Sequence, residues 1–142
     1  MPRDQRIITA DDIMDLGTYE TIRGDKRQEN ILRKKFRRLL VGPHVTVLFE
    51  NWDTMWWQVQ ELLRVEKGGA EQLKDELAAY NPMIPNGREL TCTLMFEIDD
   101  PAVRARVLGG LGGIEDHFVI SVGEERIQGV PEGDVERTRE DG

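Results

Sequence analysis

Residues 89–99, ELTCTLMFEID, set Leu90, Cys92, Leu94, Phe96 and Ile98 at every second position, with Thr91, Thr93, Met95 and Glu97 between them. That alternation turns one face of an extended strand toward a core. A chain holding such a strand must build a sheet and something to cover it, and Cys92, on the apolar face, is expected to be buried and inert. A second stretch, HVTVLFE, alternates Val45, Val47 and Phe49 with His44, Thr46, Leu48 and Glu50 and is rich in β-branched residues. A third, HFVISVGEERIQGV, reads as two strands about a tight turn at Gly123, a hairpin.

Between these lie helix-period segments. Thr9 is placed to cap a short first helix with Asp11 and Asp12 in its first turn. The next helix starts near Thr18 or restarts with Asp25 as cap, and runs to about Leu40, before Gly42 and Pro43. On it Leu32, Phe36, Leu39 and Leu40 share one face, the expected core side. Arg23, Lys26, Arg27, Arg33, Lys34, Arg37 and Arg38 cover the other. Asp53 is the expected cap of a helix whose core stripe is Met55, Trp56, Val59, Leu62 and Leu63, ending before Gly68. AEQLKDELAAY should bury Ala70, Leu73, Leu77 and Tyr80, and Asn81-Pro82 stops it. Asp100 with Pro101 opens the last helix, which ends in glycines. The order ααβααβαββ predicts an α+β fold: a mixed or antiparallel sheet of about four strands packed with about five helices. With 142 residues the reading is one domain over residues 1–130 and an acidic, disordered tail over 131–142.

All three tryptophans fall within six residues. With Asp53 as cap, Trp52 and Trp57 occupy the two positions of a hydrophobic staple, and Trp56 lies at the edge of the core stripe. Trp57 nevertheless projects with Gln60, Glu61 and Arg64, nearly opposite Val59, so an exposed ring there would mark a contact surface.

The formal net charge of −8 disfavours nucleic acid and anionic membranes as main partners. It conceals a reversal: residues 23–38 hold eight Lys or Arg against two acids, +6, leaving −8 − 6 = −14 for the rest. No apolar run is long enough to span a membrane, the N-terminus lacks a signal-peptide pattern, and one cysteine fits a reducing compartment, so the expected location is cytoplasmic.

Several chemistries find no pattern. Paired Glu-x-x-His motifs are missing, and EDH at Glu115–His117 has the wrong spacing for a di-iron site. There is no G-x-S-x-G, and GGLGG at Gly109–Gly113 follows a helix where a phosphate loop precedes one. Cys92 is placed away from both histidines. No metal or cofactor is assigned. An alternative reading, a metal-binding protein or enzyme, draws on His44 and His117, which meet if their strands pair, with Glu50 and Glu97 as oxygen ligands. Nucleic-acid binding through the basic helix 23–38 is a third reading, weakened by the lack of an aromatic platform on that face.

The segments GPHVTVLFENWDT, QVQELLRVE, YNPMIP and ELTCTLMFEID, in that order, resemble the bacterial domain-of-unknown-function family 3501 over about residues 7–128. That family carries no catalytic assignments to transfer. Its genes often neighbour rubrerythrin-like and iron–sulfur oxidoreductase genes, so the resemblance implies an accessory role in redox or peroxide defence. The resulting expectation is a non-enzymatic protein that binds a protein partner, an oxidoreductase or a second copy of itself. The expected contacts are Arg23, Arg27, Lys34, Arg37, Arg38, Trp57 and Arg64.

Overall fold

The computed structural model describes residues 4–133, so most of the expected acidic tail lies outside the described residues. The fold is α+β, and the chain divides after Glu97 into two compact units. Among the described residues there are four α-helices and five strands, the strands forming two small antiparallel sheets where one four-stranded sheet was expected. The expected first helix is a single 3₁₀ turn, Ala10–Asp12, held by the Asp12 carboxylate accepting from the Thr9 N–H at 2.8 Å and hydroxyl at 3.0 Å.

Helix α1, Leu16–Lys35, is capped by Asp15, which accepts from the Thr18 N–H at 2.9 Å and hydroxyl at 2.7 Å. It passes through Gly24 without a break and stops five residues earlier than its periodicity suggests. Residues Arg38–Val41 form strand β1, antiparallel to β2, Val45–Phe49, with Leu39 opposite Val47 and Val41 opposite Val45. Leu39 and Leu40 fit a helical period and a strand equally well, and tertiary pairing decides between them. Gly42, at φ 63°, opens the turn in a conformation that costs other residues strain. Arg37 locks the crossing: its Nε donates to Phe49 O at 2.8 Å and its Nη2 to Glu50 O at 3.2 Å.

Strand β3, Cys92–Phe96, pairs with the other side of β2, giving the order β1-β2-β3. Being central, β2 buries Thr46, Val47 and Leu48 in succession, on both faces. Being an edge strand, β3 buries none of its residues fully, and Cys92 is half-buried where full burial was expected. Burial, then the neighbouring Glu50 charge, pushes its thiol pKa up.

Helix α2, Trp52–Glu66, begins two residues before its expected start, because Asn51 is the cap. Asn51 Oδ1 accepts from the Thr54 N–H at 2.9 Å, and Thr54 Oγ1 accepts from the Asn51 N–H at 2.9 Å, a reciprocal capping box. Trp52 is thus the first helical residue, and the staple geometry proposed for Trp52 and Trp57 does not apply. Asn51→Ala should lower stability by about 1 kcal/mol in urea unfolding, and by more than Asp53→Ala does. Equal losses, or a larger one at Asp53, would return the cap to Asp53.

Met55, Val59 and Leu63 are buried on α2 as expected, with Trp56 and Leu62 half-buried. Helix α3, Gly69–Tyr80, half-buries Leu73, Leu77 and Tyr80, while Ala70 is exposed. Ile8, Trp52, Met55 and Ile84 form a core cluster onto which Leu77 and Tyr80 pack. Asn81 ties the N-terminal segment to it, its Oδ1 accepting from Ile8 N–H at 2.7 Å and its Nδ2 donating to Ile8 O at 3.0 Å.

In the second unit, α4, Pro101–Leu108, starts as its sequence predicts, Asp100 accepting from the N–H groups of Ala102 and Val103. Strands β4, Val119–Val122, and β5, Glu125–Gln128, form the expected hairpin, with Gly123 at φ 61° in its two-residue turn.

Candidate functional site

Helix α1 is inside out relative to its hydrophobic pattern. Beside half-buried Ile22, most of the side chains it turns toward α2 are polar or basic. Tyr19, fully buried, donates its hydroxyl to Glu61 Oε2 at 2.7 Å. Arg23 clasps the same carboxylate through Nε at 3.0 Å and Nη2 at 2.8 Å. Arg64 of α2 reaches back to Glu20 at 2.9 Å, and Arg33 approaches Asp53 at 4.0 Å. Burial acts to raise the Glu61 pKa, but the hydrogen bonds from Arg23 and Tyr19 outweigh it and hold the carboxyl below its ordinary value. Burial, then the bond to Glu61, pushes the Tyr19 phenol well above its own.

The apolar stripe expected to be core is instead on the surface. Leu32 is 57%, Phe36 91%, Leu39 54% and Leu40 74% exposed. They run from the last turns of α1 into β1, whose four residues are all exposed. Arg27, Lys35 and Arg38 are exposed along the same stretch, and Lys34 is half-buried. Large exposed apolar side chains close together in sequence and interspersed with cations have the composition of a protein contact, with Leu39 and Leu40 on opposite faces of β1.

The expected contact residues therefore separate into two groups. Arg27, Lys34 and Arg38 lie on the stretch that carries these apolar side chains. Arg23, Arg37 and Arg64 are engaged within the chain, as described above. Trp57 is half-buried, its ring edge-on to Tyr19 at 6.2 Å and 60°, and so is not the exposed anchor expected. Phe36 is the large exposed ring. Hydrophobic periodicity alone places it in the core; the signal pointing outward is the basic face, where Arg23 and Arg33 have carboxylate partners on α2.

Between α1 and the first turns of α2 a groove of about 390 Å³ opens, with Trp52, Trp56 and Trp57 in its walls. Trp52 Nε1 donates to Ile7 O at 2.9 Å and Trp56 Nε1 to Asp12 O at 2.8 Å, which fixes both rings.

The proposed metal ligands lie on separate elements of the chain. His44 sits in the β1–β2 turn, and its strand pairs with β1 and β3; His117 belongs to a 3₁₀ turn leading into β4, which pairs with β5. The pairing that would have joined them does not form. Glu50 is buried and accepts from the Thr54 hydroxyl at 2.6 Å, and Glu97 is exposed. Among the described residues no group of three or more His, Cys, Asp or Glu could hold a metal ion, and no helix is long and apolar enough to cross a membrane.

A family described as "Protein of unknown function (DUF3501)" matches residues 7–141. The chain belongs to this family. It is also similar to a crystal structure described as a novel protein of unknown function from Burkholderia pseudomallei K96243. The two share 33% identity and a TM-score of 0.80, over 87% of this chain and 71% of that one. No curated protein matches it.

Proposed function

We propose that this chain is a cytoplasmic accessory protein that binds a protein partner through the outward face of α1 and β1. The observation that carries this reading is the exposure of Leu32 and Phe36 at the end of α1 and of Leu39 and Leu40 on β1, beside a helix that turns Arg23 and Arg33 inward. Burying such residues on a partner removes apolar area from water at about 25 cal/mol per Å². Arg27, Lys35 and Arg38 at its rim fit an apolar surface bordered by acids, and they contribute orientation and association rate more than affinity. Nucleic acid is disfavoured because Arg23, Arg33 and Arg37 of the basic stretch already bond within the chain. The gene neighbourhood implied by the family resemblance makes acidic oxidoreductases the first partners to test.

The test is sedimentation of the purified chain, alone and with those oxidoreductases, beside the double variant Phe36→Asp, Leu40→Asp. Wild type should form a complex that the variant loses by more than about tenfold, the expected effect of disrupting an interface anchor. Self-association abolished by the same variant would assign the face to a second copy. A monomer that binds none of them, or a variant that binds as wild type does, would overturn the reading.

A further inference from the structure

The side on which β1 bonds to β2 fixes what its other side offers. The Phe49 N–H donates to Arg37 O at 2.9 Å, and bonded pairs alternate with unbonded ones along an antiparallel ladder, so Leu39 with Val47 and Val41 with Val45 are the next bonded pairs. The backbone N–H and C=O groups of Arg38 and Leu40 therefore point away from β2. Strand β1 is the outer strand of the order β1-β2-β3, and among the described residues no strand pairs with that side.

Edge strands are commonly guarded by charge. Here three of the four residues are large and apolar, with Leu39 54%, Leu40 74% and Val41 46% exposed. Alternation sets Leu39 and Val41 on one face of the strand and Leu40, with Arg38, on the other. A flat partner surface laid on either face leaves the other in water. A strand added alongside reaches both, because its own side chains alternate in step, and it also takes up the outward N–H and C=O groups. Its charge follows from the surroundings. Arg27, Lys35 and Arg38 are exposed along this stretch, within residues 23–38 that hold eight Lys or Arg against two acids. A second copy pairing β1 to β1 would bring two such runs together, whereas acids are drawn to one.

We infer that the outer edge of β1 takes an extended segment of the partner protein, alternately apolar and acidic, as an added strand of the sheet. Its apolar side chains lie against Leu39 and Val41 and its acids beside Arg38. This rests on the docking face proposed above and specifies what that face recognises.

The probe is a blocked, labelled decapeptide of alternating Glu and Val, titrated with the full chain and followed by fluorescence anisotropy, with its Lys and Val counterpart as control. Saturable binding of the acidic peptide and none of the basic one is expected. Leu40→Pro removes the outward N–H while leaving the bonded pairs to β2 in place, and Leu40→Ala removes the side chain alone. The proline variant should bind the acidic peptide about five- to tenfold more weakly than the alanine variant, the worth of one interface hydrogen bond. In wild type, the Arg38 and Leu40 amides should exchange freely in the chain alone and slowly in the complex, read by NMR, a result that does not depend on how the proline variant folds. No saturable binding of the acidic peptide, equal binding of the basic one, equal affinities of the two Leu40 variants, or unchanged Arg38 and Leu40 exchange on binding would each overturn the added strand. Slow exchange at both amides in a self-associated chain would overturn it in favour of a second copy. The two readings fail separately: a partner complex that Phe36→Asp, Leu40→Asp abolishes, but in which Arg38 and Leu40 exchange as in the free chain, keeps the docking face and rejects the strand.

Discussion

Replacing Trp52 with alanine should lower stability by about 3 to 5 kcal/mol, whereas replacing Phe36 with alanine should change it by less than about 0.5 kcal/mol. Both are large aromatic residues, and a hydrophobic pattern would assign both to the core. Their surroundings differ. Trp52 is 8% exposed, packs in the cluster with Ile8, Met55 and Ile84, and donates its indole N–H to Ile7 O. Its removal leaves a cavity and an unbonded carbonyl, two costs that add. Phe36 stands in water at the end of α1, so truncating it removes almost no packing. Urea unfolding of the two variants separates these outcomes, and a loss at Phe36 approaching that at Trp52 would mean that α1 buries its apolar side after all.

The second large effect is expected at Glu61. Glu61→Leu should cost about 2 to 3 kcal/mol, chiefly because the buried Tyr19 hydroxyl loses the acceptor it bonds at 2.7 Å. The Arg23 end of the pair retains contact with solvent and adds little. The carboxyl also predicts a pH dependence. Its pKa in the folded chain lies below the ordinary 4.5, so its contribution is fully present above that value and is lost as pH falls through the lowered folded pKa. Comparing wild type with Glu61→Gln, which cannot titrate, the stability gap at pH 7 should narrow on acidification below about pH 4.5. A gap that stays constant would show that Glu61 is not held ionised by Arg23 and Tyr19.

Much of the fold could be read wherever a local signal and its tertiary setting agree. β3 follows its alternation, α4 its Asp100-Pro101 start, and the β4–β5 hairpin its glycine. Where two local signals compete, tertiary contacts decide between them. Leu39 and Leu40 continue the helical spacing of Leu32 and Phe36, yet the ladder to β2 claims them. Asp53 and Asn51 are both good caps, and the reciprocal bond available through Thr54 selects Asn51. The candidate site was legible as a stretch of sequence but not as a surface. Residues 23–38 stand out by their charge, yet which side of α1 faces inward depends on Glu61, Glu20 and Asp53 meeting arginines remote in sequence. No periodicity within α1 contains that information.

The central claim is that α1 presents its apolar side for docking, and the reactivity of Phe36 in solution tests it most directly. Hydroxyl-radical footprinting read by mass spectrometry would compare Phe36 with Tyr19, in the chain alone and in the complex found by sedimentation. Phe36 is expected to react readily in the free protein and to be protected in the complex, with Tyr19 protected in both. If Phe36 is as protected as Tyr19 in the free monomer, or reacts equally whether or not the partner is bound, the account of this face is contradicted.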